Sequence, residues 1–128
     1  MAGLQIKIAE RLQESGLTVV DNKPSTLPFY SFGPTIETNV GNIGEVANSV
    51  LVTIDSFSDN GGMVSSKQRI GALVTALVGW IPDLSEFNQD VPCAGKIVQT
   101  QFFYDHEQST GKNIAHGVLQ VRYLVGKV

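Results

Sequence analysis

The stretch from Ile70 to Ile81 limits what this chain can fold into more than any other. Ile70, Leu73, Val74, Leu77, Val78 and Ile81 follow the i, i+3, i+4, i+7, i+8, i+11 series of an α-helix with one apolar face. Gly79 and Pro82 end the pattern, because glycine accepts the left-handed turn after a helix and proline cannot continue one. Upstream, Ser65 and Gln68 have the spacing of a capping box, which predicts the helix start. The stripe covers one side only, so this helix must lie across a second surface that is apolar on one side. A half-buried sheet is such a surface.

Three segments supply it by period-two alternation. Val46, Val50, Val52 and Ile54 fall on one face, with Ser49, Thr53 and Asp55 on the other, which predicts a strand from Glu45 to Phe57. Natural strands average about 5–6 residues, so one this long can leave its own sheet and reach a neighbour. Val98, Thr100, Phe102 and Tyr104 alternate with Gln99, Gln101 and Phe103, and Leu119, Val121, Tyr123 and Val125 alternate with Gln120, Arg122 and Leu124. These two runs read as a hairpin. Pairing Phe102 with Leu119 and Thr100 with Val121 puts both apolar sets on one face, with Thr110-Gly111 at the tip and Asp105 opposite His116.

Leu4, Ile8 and Leu12 mark a short amphipathic helix from Gly3 to Ser15, closed by Gly16 with Leu17 beyond it. Phe29 to Thr38 is aromatic and β-branched but broken by Gly33-Pro34, so it is an edge strand or carries a bulge. Asp21–Leu27, Val40–Gly44, Ser58–Gly62 and Asp83–Gly95 read as connections. The order helix, strand, strand, helix, strand, strand predicts an α+β fold. Its antiparallel, possibly mixed, sheet has about four strands, with the N-terminal helix and the long amphipathic helix packed on one face.

At 128 residues the chain fits one domain, 1–128. Its net charge of −3 argues against gripping a nucleic-acid backbone, which needs a basic face. Neither a membrane-length apolar run nor a secretory signal segment is present, and the lone Cys93 suits a reducing compartment, so the sequence reads as a soluble intracellular domain. Charged residues make up 16% of the chain against a usual ~25%, and Ser, Thr, Asn and Gln, 33 in all, fill the gap. Depletion of charge is what subunit interfaces show; a neutral-surfaced monomer fits the same figure.

Chemistry-bearing residues are few. Asp105, His106, Glu107 and His116 are the one dense titratable group and could in principle ligate zinc. Adjacent strand residues face opposite ways, however, so His106 turns from Asp105 and His116, and a solvated hairpin tip is the better reading. Cys93 has no histidine near it in sequence, and lone cysteines are mostly small buried hydrophobes. Ser109 to Asn113 lacks the first glycine and the closing Ser/Thr of a phosphate loop, and Gly41 to Gly44 lacks the dinucleotide spacing. Phe102, Tyr104 and Tyr123 could stack bases, but no basic stripe accompanies them and the helix must cover their face. The residues assign no catalytic, cofactor or metal site; a small metal-dependent enzyme using His106 or His116 is the remote alternative.

Several local patterns occur together and in order: Pro28-Phe29-Tyr30 entering a strand, Glu37-Thr38 after it, Leu51 to Ser56, Asn60-Gly61-Gly62 before the long helix, and Ala115 to Val125 at the close. In this the chain resembles the small tail completion, or tail terminator, proteins of long-tailed bacteriophages. The resemblance implies a homo-oligomeric ring, typically of six subunits, on the head-proximal end of the tail tube. There it would halt tube polymerisation and meet the head-tail connector, with no cofactor and no membrane. DNA would pass through the channel without specific binding. Such a protein is assembled in the host cytoplasm and resides in the virion. Another head-tail adaptor or a baseplate scaffold is the alternative within the same particle. The polar connections at Val40, Asn42, Asp59, Asn60 and Met63 are the candidate interface loops.

Overall fold

The alternating segments pair as one twisted sheet and the helical stripes lie on one side of it. The structure, a computed structural model, describes residues 2–20, 28–39, 47–58, 62–107 and 112–127. Helix α1 spans Ala2–Glu14 and helix α2 spans Gly62–Leu77. The strands are β1 (Val19–Val20), β2 (Phe29–Phe32), β3 (Ile36–Asn39), β4 (Ala47–Ser58), β5 (Gln89–Asp90), β6 (Lys96–Glu107) and β7 (Lys112–Lys127). A 3-10 turn, Ser85–Phe87, precedes β5. The fold is α+β with a seven-stranded mixed sheet, ordered β1-β2-β4-β7-β5, with β3 also on β4 and β6 also on β7. Among the described residues only β1 with β2 is parallel, and the other pairs are antiparallel.

The expectation of about four strands is corrected to seven, for two reasons. Gly33-Pro34 splits the predicted strand at 29–38 into β2 and β3, which both pair with β4. Between Phe32↔Ile54 and Ile36↔Leu51 the split strand has one residue more than β4, so a bulge sits there as the proline requires. The Gly33 N–H keeps the ladder anchored by donating to the Thr53 carbonyl at 2.8 Å. The other extra strands, β1 and β5, are two residues each and leave no periodic trace. Strand β4 does not leave its sheet: β2 and β3 line one side of it and β7 pairs with it from Ala47↔Gly126 to Ser58↔Ala115.

Alternation then divides the sheet faces. Val50, Val52 and Ile54 from β4, and Leu119, Val121, Tyr123 and Val125 from β7, form the helix-side floor. Ile70, Leu73 and Leu77 of α2 and Leu4, Ile8 and Leu12 of α1 close over it, all essentially buried. Helix α1 ends as its sequence predicts. Gly16 has φ +80°, its N–H donates to the Gln13 carbonyl, and the Leu17 N–H donates to the Leu12 carbonyl at 2.8 Å.

Helix α2 departs from expectation at both ends. It starts at Gly62, so Ser65 and Gln68 lie inside it and form no capping box. It stops at Leu77, with Gly79 at φ +74°, so Val78 and Ile81 leave the stripe and are exposed.

The hairpin register differs by two residues from the predicted one. Phe102 faces Gly117, Thr100 faces Leu119 and Phe103 faces His116, with a bulge at Val98 between Ile97 and Gln99. A shift of two leaves the side chains from Gln99 onward on their predicted faces, whereas at the bulge Ile97 replaces the expected Val98 on the core side, opposite Val121. Gly117 also gives the helix its place: a Cβ there would lie 2.7 Å from Ile70 Cγ1 and 2.9 Å from Ser66 Oγ, so α2 crosses β7 where no side chain intervenes. The predicted Thr110-Gly111 tip lies outside the described residues.

Leu73→Ala or Leu77→Ala is expected to lower stability by about 2–5 kcal/mol, since each side chain is fully enclosed. Gly117→Val should also destabilise, because the helix must back away from β7. Urea unfolding checks both, and a neutral result at Leu73 or Leu77 would refute the face assignment.

Candidate interaction surface

The sheet face away from the helices carries a row of four rings, one each from β2, β4, β7 and β6. Register places Phe29 opposite Phe57, Phe57 opposite His116 and His116 opposite Phe103. Their centroids are 5.0, 4.3 and 4.3 Å apart in that order, so the imidazole stacks on Phe57 and leans on Phe103. His116 Nε2 lies 2.8 Å from Asp55 Oδ1, and the two side chains are only 14% and 16% exposed. Asp55 is hemmed in by Gly33, where a Cβ would sit 2.6 Å from its Oδ2. The pair is thus held by a strand bulge on one side and by rings on the other.

A polar contact sits between sheet and helix. The Arg69 guanidinium lies 4.1 Å from the Tyr30 ring centre, and its Nε donates to Ser56 Oγ at 2.8 Å. The Tyr30 hydroxyl in turn donates to the Arg69 carbonyl at 2.9 Å. Burial lowers the pKa of the guanidinium and raises that of the phenol, while the attraction between them opposes each shift. This cluster locks α2 onto β2 and β4.

Among the described residues, two places at the sheet's margins offer apolar surface. At one, α1 and the β1–β2 edge form a groove of about 410 Å³, floored by Ile6, Ala9, Val19 and Phe32 and rimmed by Glu10 and Gln13. Gln5 donates across its end to the Thr35 hydroxyl at 2.7 Å, which fixes α1 against the β2–β3 bulge. At the other, β6 pairs only with β7 among the described residues. From Ile97 to Tyr104 it carries no charge, and Val98, Phe103 and Tyr104 are exposed.

The candidate loop residues Val40, Asn42, Asp59 and Asn60 lie outside the described residues. Met63 is not in a loop but in the first turn of α2, half-buried, because the helix begins earlier than the capping pattern suggested. The expected pairing of Asp105 with His116 is corrected by the register. Asp105 pairs with Ile114 and His106 with Asn113, whereas His116 stands opposite Phe103 and binds Asp55, far away in sequence. His116 is therefore part of a packed row and not of a solvated tip. Cys93 is exposed in its loop, contrary to the buried reading. Tyr104, expected under the helix, lies beyond its cover, while Tyr123 is enclosed as expected. Among the described residues no three metal-ligating side chains converge, and no helix is long and apolar enough to cross a membrane.

No protein-family model and no curated protein sequence matches the chain. Among solved structures it is similar to a chain of the "virion of native gene transfer agent (GTA) particle". The TM-score is 0.60 with 18% identity, and 94% of both chains is covered. At that identity the likeness establishes the fold.

His116→Ala is expected to destabilise the chain, since it removes both the ring stack and the partner of Asp55. A double-mutant cycle of Asp55→Asn and His116→Ala should give a coupling of about 0.5–3 kcal/mol, as contacting residues do. A coupling near zero in thermal or urea unfolding would remove the pair from the structural account.

Proposed function

We propose that this chain is a structural protein of a phage-like virion. In this reading it forms a six-membered ring on the head-proximal end of the tail tube, ends tube growth there and presents a surface to the head-tail connector. The observation that carries the reading is the likeness, across nearly the whole of both chains, to a chain of a gene transfer agent virion. The ordered local patterns that resemble tail completion proteins support the finer role. The role is structural, without catalysis.

Its physics is simple. Tube subunits that stack head to tail by a heterologous contact have no intrinsic end. A ring that matches the last tube layer on one side, and differs on the other, supplies the end. The net charge of −3 suits a channel through which DNA slides without sticking. The same likeness supports a second reading, another head-tail adaptor or a baseplate scaffold, since a ring-shaped scaffold elsewhere in a particle would draw on the same fold.

Deleting the gene separates the two. Loss of a terminator is expected to leave DNA-filled heads without tails, alongside tails of uncontrolled length, in electron micrographs. Normal-length tails that fail only to join heads would favour the adaptor. Intact particles would refute both readings.

A further inference from the structure

We propose that the groove between α1 and the β1–β2 edge is the seat for the β6 edge of a second copy of this chain. Three observations support it.

The first is placement. Val19 faces Tyr30, Tyr30 faces Ser56, Ser56 faces Gly117 and Gly117 faces Phe102. One row of the ladder thus runs from the groove floor to the β6 edge. The parallel row from Phe32 through Ile54 and Leu119 ends at Thr100. Both surfaces lie on the helix-bearing side of one sheet, at its opposite ends. A copy set beside the first in the same orientation brings Thr100, Phe102 and Tyr104 to the groove.

The second is shape. The groove is an open hollow of about 410 Å³ with an apolar floor, and Ile6 on its wall is 47% exposed. Tyr104 projects from the other edge, 54% exposed, beside half-buried Phe102. A projecting aromatic on a neutral edge fits an apolar hollow.

The third is charge. Glu10 stands at the groove rim, where it pairs with Lys7 at 3.6 Å while its side chain stays 58% exposed. On the β6 side, the Lys67 ammonium lies 5.9 Å from the Phe102 ring centre and meets no carboxylate among the described residues. Docking brings these opposite charges together.

Because the two surfaces differ, the contact is heterologous and repeats from copy to copy, closing into a ring when the rotation allows. The inference deepens the ring reading and rests on it for closure alone.

Disulfide trapping tests it in full-length protein carrying Cys93→Ser. One chain receives Ile6→Cys, another Tyr104→Cys, and the two are oxidised separately and mixed at high concentration. Linked dimers are expected only in the mixture, and a chain with both cysteines should give a ladder of higher species. A second pair, Gln13→Cys with Thr100→Cys, guards against a fold lost at either first position. Glu10→Lys on the groove chain should cut the yield several-fold, and Lys67→Glu on its partner should restore it. No linkage in either mixture, or equal linkage in each chain alone, overturns the proposal. Linked open chains without rings in electron micrographs would keep the contact and remove the ring reading. Rings without either linkage would do the reverse.

Discussion

The pairing of β4 with β7 is the interaction on which the rest of the structure depends. It runs unbroken from Ala47↔Gly126 to Ser58↔Ala115 and is flanked on both sides by other strands. Because side chains alternate, that register decides at once which residues meet the helices. A slip of one residue would turn either Val52 and Ile54 or Leu119 and Val121 outward, away from the helices. The register also sets Gly117 where α2 must cross, so that Ile70 and Ser66 come against bare backbone. With α2 seated, α1 fills the remaining side of the core, held to it by the Arg11 Nε donation to the Ala76 carbonyl at 2.9 Å. A further tie links α1 to the 3-10 turn. Lys7 pairs with Glu86, and Phe87 packs where Gly3 has no side chain.

What could be read from the sequence was what local periodicity encodes. The stripe from Ile70 to Leu77, the alternation in β4 and β7 and the Gly16 cap each depend on neighbours within a few residues, and each took its expected place. The hairpin register depended on something farther off. Matching apolar residues across the strands favoured Phe102 with Leu119, but Phe102 faces Gly117, and a bulge at Val98 that no local pattern announces interrupts the ladder. Ser65 and Gln68 met the capping rule in sequence while the helix had already begun at Gly62. The aromatic row was hidden for the same reason. Phe29, Phe57, Phe103 and His116 come from four strands, and no sequence window holds more than two of them. His116 was grouped with Asp105 by proximity along the chain, yet its partner is Asp55, 61 residues away.

The layer between α2 and the sheet is more polar than a minimal core requires. Ser58, Ser66 and Tyr123 have buried hydroxyls without a protein partner among the described residues. Arg69, by contrast, satisfies Ser56, covers the Tyr30 ring and offers its carbonyl to the Tyr30 hydroxyl. Its contacts are also directional, unlike those of Leu73 and Leu77. Turning α2 by one residue, about 100°, would break all three and set a guanidinium where Ile70 now packs. The cluster therefore selects one rotation of a helix whose apolar stripe alone would accept several.

The low charge of the chain is not spread evenly, and its distribution bears on assembly. The β3 edge is four residues long and ends at the Gly33-Pro34 break, so it is guarded against accepting another strand. The β6 edge is twelve residues long and neutral from Ile97 to Tyr104, with the Val98 bulge as its one structural guard. In a protein that stays alone, such an edge is a hazard, because it offers unpaired backbone groups and exposed rings to any other chain. Lysines or glutamates along it would remove the hazard at little cost to the fold, since Gln99, Thr100 and Gln101 already face solvent. Their absence is thus not a requirement of folding. A neutral edge is what a strand needs if it is to be covered, because burying an unpaired charge costs far more than burying Gln, Thr or Tyr. The β3 edge is guarded and the β6 edge is neutral, so the two sides of the sheet differ, and a contact that joins one side to the other is head to tail.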